Sequence, residues 1–267
     1  MLKNVTLGQY FPGDTIVHRL DPRTKLLWLV GYIVALFLAG GWISYALMAA
    51  VLAMESALAH IRPRTLFSGL RPLLFILLFT ALLNLFYGTG EPLAQLWILK
   101  ITADGIQRSV QMVLRIILLV CGSFLLTYTT SPLQLTDGLE RLLSPLKRLH
   151  VPVGELAMMM SIALRFIPTL IEETDRIMSA QKARGARFDT GSLVQRARAL
   201  IPLLVPLFVG AFRRADELAT AMECRCYSPG AGRTRMKVLS MAPRDGAALA
   251  VCAGILCAVC LLRHFGL

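Results

Sequence analysis

Four histidines, six cysteines and sixteen acidic residues are the side chains of this 267-residue chain that could ligate a metal or run acid–base chemistry. A structural zinc site takes Cys or His ligands in pairs, roughly two to five residues apart, and two such pairs are needed. Cys224-x-Cys226 comes nearest, but no second Cys or His pair accompanies it, and His18, His60, His150 and His264 are scattered. Cys121, Cys252, Cys257 and Cys260 fall in apolar runs, where cysteine behaves as a small hydrophobe. The chain has no G-x-x-x-x-G-K-[ST] loop to cradle phosphates, no G-x-S-x-G and no H-E-x-x-H. No catalytic residue, no metal site and no cofactor bound by this chain are therefore expected. Two residues keep a distinctive chemistry. Arg184 and Arg225 each close a helical pattern, and a planar five-donor guanidinium there can bond several carbonyls or a carboxylate at once.

The elements that must position these arginines follow from composition. Hydrophobic residues make up 56% of the chain, against about 45–50% in soluble domains, and charged residues 16% against about 25%. The net charge of +12, in so apolar a chain, reads as basic loops beside an anionic membrane surface and not as nucleic-acid binding. A polytopic, all-α membrane protein is expected. A spanning helix needs about 20 apolar residues. The run 26–61 would reach about 54 Å as one helix, so it divides at Gly40-Gly41 into spans 26–39 and 42–59. Further spans are 72–90, 109–128 and 246–262, making about five. Glu55 and Arg115 lie near helix ends, where such side chains snorkel to water, and Asn84 suits an interhelical hydrogen bond. Two more apolar runs read as helices at the membrane face or packed on protein. Run 151–171 carries Arg165, and 199–212 is short and broken by Pro202 and Pro206. Seven Lys or Arg flank one side of the first spans and three the other, so the N-terminus is expected in the cytoplasm and the C-terminus outside.

Three regions result: 1–128 with a cytoplasmic N-terminal segment and spans one to four, 129–244 as a large helical cytoplasmic domain, and 245–267 as span five. Within the middle region helices are expected over 137–148, over 154–184 with a bend at Pro168, and over 192–225. Placing Arg184 on Arg225, an offset of 41, also brings Asp175 onto Asp216, Ile177 onto Leu218, Ser179 onto Thr220 and Ala180 onto Ala221. Two explanations stand side by side. A terminal arginine simply suits the helix dipole, or the two helices are similar arms that present arginines to two similar partners.

Several longer motifs resemble one family. They are Phe11-Pro12-Gly13-Asp14, the stretch from His18 to Lys25, Leu135-Thr136-Asp137-Gly138-Leu139-Glu140, the stretch from Ser161 to Leu170, Gln181-Lys182-Ala183-Arg184-Gly185 and Ala221-Met222-Glu223-Cys224-Arg225-Cys226-Tyr227. Together they resemble the transmembrane (T) component of energy-coupling factor (ECF) ABC-type importers, in wording closer to the shared-module (group II) type. The resemblance implies a non-catalytic plasma-membrane subunit. It would join two cytoplasmic ATPases (EcfA and EcfA′), which bind ATP and Mg, to interchangeable membrane S components that carry a vitamin or other micronutrient. In that family short Ala-Arg-Gly-like motifs dock in grooves on the ATPases. Ala183-Arg184-Gly185 matches, whereas Cys224-Arg225-Cys226 keeps the arginine but loses the backbone freedom of a glycine. Met158, Met159, Ile162, Phe166, Leu203 and Leu207 are the expected S-component contacts, methionine being adaptable enough for several partners. The alternatives are a dedicated cobalt or nickel T component and a secondary transporter. The latter is opposed by the lack of half-broken spans with polar residues at mid-membrane, and an intramembrane enzyme by the lack of ionisable clusters.

Overall fold

The computed structural model describes residues 10–86, 92–96, 99–186, 188, 192–228 and 239–265, and they divide into two compact units. The larger unit, Gly8–Leu142 with Val238–Leu267, contains helices α1 (Pro22–Leu38), α2 (Trp42–Leu58), α3 (Pro63–Gly69), α4 (Leu74–Phe86), α5 (Ala103–Thr129), α6 (Pro132–Leu142) and α9 (Pro243–His264). The other includes Leu143–Lys237 and holds α7 (Val153–Ala183) and α8 (Leu193–Cys224). Among the described residues the fold is all-α apart from one two-stranded antiparallel hairpin, β1 (Pro92–Leu96) with β2 (Leu99–Thr102), pairing Ala94 with Ile101 and Leu96 with Leu99. No strand is expected there from the sequence.

Helix starts in the larger unit follow local chemistry. Asp21 caps α1 by accepting the Arg23 N–H at 2.9 Å, and Pro22 supplies a first-turn residue with no N–H to lose. Asp245 does two jobs at the start of α9. One carboxylate oxygen accepts the Ala242 N–H at 2.8 Å and the other the Asp21 N–H at 2.8 Å, which ties the first turns of α9 and α1 together. The Lys25 ammonium, on a residue only 5% exposed, donates to the His18 carbonyl at 3.1 Å and to the Thr129 carbonyl at 2.9 Å. It thereby satisfies a carbonyl that the end of α5 would otherwise orphan.

Close approach is secured by small residues, as expected where lipid leaves packing to drive helix association. A Cβ at Gly31 would stand 2.5 Å from Cys252 Sγ, and one at Gly138 would stand 2.9 Å from Pro22 Cβ. These sites let α9 and α6 lie against α1. The core joins Tyr32, Leu36, Tyr45, Met48, Leu118 and Val259 from α1, α2, α5 and α9. Arg115 meets the chain where the α1–α2 hairpin turns. Its guanidinium donates to the Ala39 carbonyl at 3.1 Å and the Tyr45 hydroxyl at 2.7 Å, clamping the α1–α2 hairpin to α5. Glu55 is likewise half-buried, beside a cavity of about 360 Å³ that Trp28, Tyr32, Leu125 and Val251 also line.

By length and composition, four stretches of the described residues can cross a bilayer: Pro63–Leu85, Asp104–Thr129, Val153–Ala183 and Pro243–His264, with Trp42–Leu58 shorter. The third is a departure from expectation, because Arg165 alone does not lower its apolar character enough to fail the test. α1 and α2, at 17 residues each, sit at the lower limit.

Candidate functional site

α7 runs unbroken for 31 residues through Pro168, and α8 for 32 residues through Pro202 and Pro206. What ends them is the same in both. At the end of α7 the Gly185 N–H donates to the Lys182 carbonyl at 2.9 Å and the Ala186 N–H to the Gln181 carbonyl at 2.9 Å. At the end of α8 the Cys226 N–H donates to the Glu223 carbonyl at 2.8 Å and the Tyr227 N–H to the Met222 carbonyl at 3.0 Å. Adding 41 to each residue of the first set gives the second. The crossed pattern is a Schellman-type cap, which requires one residue in the left-handed region. Gly185 takes it at φ +89°, and Cys226 takes it at φ +54°.

The same crossed bonds and a left-handed residue also close α2 at His60 and the short turn that ends at His150, so the caps themselves are ordinary helix-ending chemistry. What α7 and α8 share beyond the cap is an exposed arginine in the same register, which fits two similar arms and fits two dipole-complemented helix ends equally. Cys226 lacks a glycine's freedom yet adopts the glycine conformation, at a cost of about 1–2 kcal/mol for an L-residue.

Ala183, Arg184, Gly185, Cys224, Arg225 and Cys226 are all exposed. Neither guanidinium has a hydrogen-bond or ion-pair partner among the described residues, so ten N–H donors in total stand free at two matching helix ends. The carbonyls behind them are already satisfied by the caps, which leaves the arginines available to a partner. Of the residues expected to face an S component, Met159 is 55% exposed, Met158, Ile162, Phe166 and Leu207 are half-buried, and Leu203 is buried at 6%. Besides Val194 near its start, the apolar residues that α8 exposes most are Val205, Phe208, Val209 and Phe212, at 57–72%. Sequence periodicity does not pick them out, because apolar residues surround this part of α8 on nearly every side.

All six cysteines are free, Cys224 and Cys226 exposed among them, and the described residues include no group of three His, Cys, Asp or Glu placed to hold a metal ion. One further charged pair lies in this unit and joins its two helices: Arg214 donates to Glu173. The signal that could have found it is the offset, since 173 and 214 are also 41 residues apart.

The fold defines a multi-pass, helical membrane protein in which two long helices, α7 and α8, each end at an exposed arginine without a partner among the described residues. The family model described as CbiQ, cobalt transport protein, matches residues 13–237. The energy-coupling factor transporter transmembrane protein EcfT of Thermosediminibacter oceani is 51% identical over 264 residues, covering 99% of each chain. The protein of the same name from Clostridium kluyveri is 47% identical over 266 residues, covering 99% of this chain and 98% of its own. That from Lactococcus lactis is 44% identical over 245 residues, covering 91% and 92%. The chain belongs to this family, the transmembrane components of energy-coupling factor transporters. Because these relatives carry the energy-coupling factor name over nearly their whole length, the dedicated cobalt or nickel alternative is not favoured.

Proposed function

We propose that this chain is the non-catalytic coupling subunit of an ECF-type importer, linking ATP hydrolysis by two cytoplasmic ATPase subunits to vitamin or micronutrient uptake through a membrane S component. The observation that carries this reading is the pair of exposed arginines, Arg184 and Arg225, at matching positions of two helix ends 41 residues apart. Two equivalent arginine-tipped ends suit two similar partners. ATP and Mg belong to those partners, since this chain has no phosphate-cradling loop. Region 129–244 is the coupling domain and lies in the cytoplasm with the N-terminus, on the strength of the Lys/Arg asymmetry, which places the C-terminus outside. ATP binding draws the ATPases together and hydrolysis releases them, and α7 and α8 carry that movement to the S component.

The S component is held on the apolar side chains of α7 and α8, Met158, Met159, Ile162, Phe166 and Leu207 with Val205 and Phe208. The spanning window of α7 is only 6% buried, against 17–22% for the other three candidate spans, as suits a helix covered by a partner. The test is reconstitution in liposomes of the chain with an ATPase pair and a vitamin-specific S component. Uptake is expected only when all are present, with no ATP turnover by the chain alone. ATP hydrolysis by a preparation free of ATPase subunits, or uptake without them, would overturn the proposal.

A further inference from the structure

The Glu173–Arg214 pair sits where α7 packs on α8, with both side chains only about a quarter exposed, at 27% and 28%. Gly210, one turn before Arg214, makes room for it. A Cβ at 210 would stand 2.8 Å from Glu173 Oε1, so the bare backbone lets the carboxylate settle against α8 with Arg214 one turn on to receive it. The neighbouring Arg213 is engaged by Glu217 at 3.1 Å and does not compete.

The separation of this pair is 41 residues, the same offset that superposes the two caps. Glu173 and Arg214 are therefore equivalent positions of the two arms. Each lies eleven residues before its terminal arginine, about 16 Å of helix at 1.5 Å per residue. When two like elements touch at equivalent positions, a local two-fold axis passes through the contact, as in an isologous interface. Identical charges on such an axis would repel. Here the repeat departs from identity at that point and places opposite charges.

We infer that the Glu173–Arg214 pair is the pivot of the coupling arms. It fixes the register in which α7 crosses α8 and so gives both arms one length from crossing point to arginine. A slip of one helical turn would advance one tip by about 5.4 Å relative to the other, and the movements of the two partners would no longer reach the S component in step. Glu173 and Arg214 are positioning residues that act through Arg184 and Arg225. The inference rests on the coupling function proposed above.

The test uses the complete complex of chain, ATPases and S component in liposomes, carrying E173Q, R214Q or the exchanged pair E173R/R214E. Both single variants should retain their ATPases and hydrolyse ATP, because the arginine tips are untouched, while substrate taken up per ATP falls by about threefold or more. The exchanged pair should restore most of that ratio. A second readout does not depend on transport: spin labels at the exposed, equivalent positions Ser179 and Thr220, in a chain whose native cysteines are replaced. Their distance distribution should be narrow in the parent and in the exchanged pair, and broad in each single variant. A parental uptake ratio in the single variants, loss of their ATPases, or a narrow distribution in all variants would each overturn the pivot. Normal transport by a chain lacking both tip arginines would instead overturn the coupling function, leaving the spin-label result to stand on its own.

Discussion

Replacing Gly185 by alanine and Cys226 by glycine perturbs the two arms in opposite directions at the same point of the cap. Nothing lies within 4 Å of where a Gly185 Cβ would stand, so alanine meets no clash and bears only the cost of the left-handed backbone at φ +89°. That cost is about 1–2 kcal/mol. Stiffening the unfolded chain returns about 0.4–1 kcal/mol, which leaves about 1 kcal/mol against forming the cap, and docking bears that cost where the free helix end frays. Cys226 already carries a side chain at φ +54°, and Cys226→Gly reverses both terms for a net gain of about 1 kcal/mol. At 1.4 kcal/mol per decade, Gly185→Ala should bind the ATPase pair about fivefold more weakly and Cys226→Gly about fivefold more tightly. Gly185→Val, being β-branched, should be weaker than Gly185→Ala. The assay is titration of labelled ATPase pair onto the chain in nanodiscs, with thermal unfolding to confirm that each variant is folded. Gly185→Val binding like the parent, or Cys226→Gly binding less tightly, would show that the left-handed cap is not what the ATPases receive.

Other expectations concern the membrane unit. Lys25→Met removes donors from two carbonyls and leaves Asp21 and Asp245 without their nearby buried cation, so stability should fall by about 3–5 kcal/mol. Lys25→Arg should not rescue it, since a forked guanidinium does not replace a compact ammonium; thermal unfolding in detergent measures both. Arg115→Met should loosen the α1–α2 hairpin by about 1.5–3 kcal/mol, and Tyr45→Phe, which removes only the hydroxyl partner, by about 0.5–1.5 kcal/mol. Burial holds His18 below the ordinary 6.5, with the Lys25 charge adding to that and the bond to the Phe11 carbonyl opposing it. The unfolded chain therefore takes up this proton at a higher pH than the folded one. The His18 contribution is intact above 6.5 and is lost as pH falls below it, so His18→Gln should flatten the acid side of a plot of unfolding temperature against pH.

The membrane helices were legible because apolar composition alone marks them; each of the five expected spans overlaps a helix from α1 to α5 or α9. Their mutual fastening was not legible. The Lys25–Thr129 bond joins residues 104 apart and the Asp21–Asp245 bond residues 224 apart, and no local pattern announces such a partner. Arg115 shows the same limit, since periodicity places it in a helix without saying which carbonyl it will find. The arms lie between these cases. Their offset was visible in the residues, but the capping bonds and the left-handed conformation of Cys226 were not, because a cysteine in that conformation has no local signal in the sequence. The β1–β2 hairpin was missed because the run 92–102 is too short for a periodic signal.

The most direct test of the account is to change both tip arginines and follow vitamin uptake together with ATPase co-purification. Truncating one partner of a desolvated charged contact costs about 2–5 kcal/mol, or about 30-fold to several-thousand-fold in affinity. Arg184→Ala or Arg225→Ala alone should weaken the assembly and reduce uptake, because the other arm still holds. The double variant should insert in the membrane at parental levels yet lose its ATPases and with them uptake. If the arginines merely complement helix dipoles, each change costs no more than about 1 kcal/mol. A double variant that keeps its ATPases and transports at the parental rate would contradict the account.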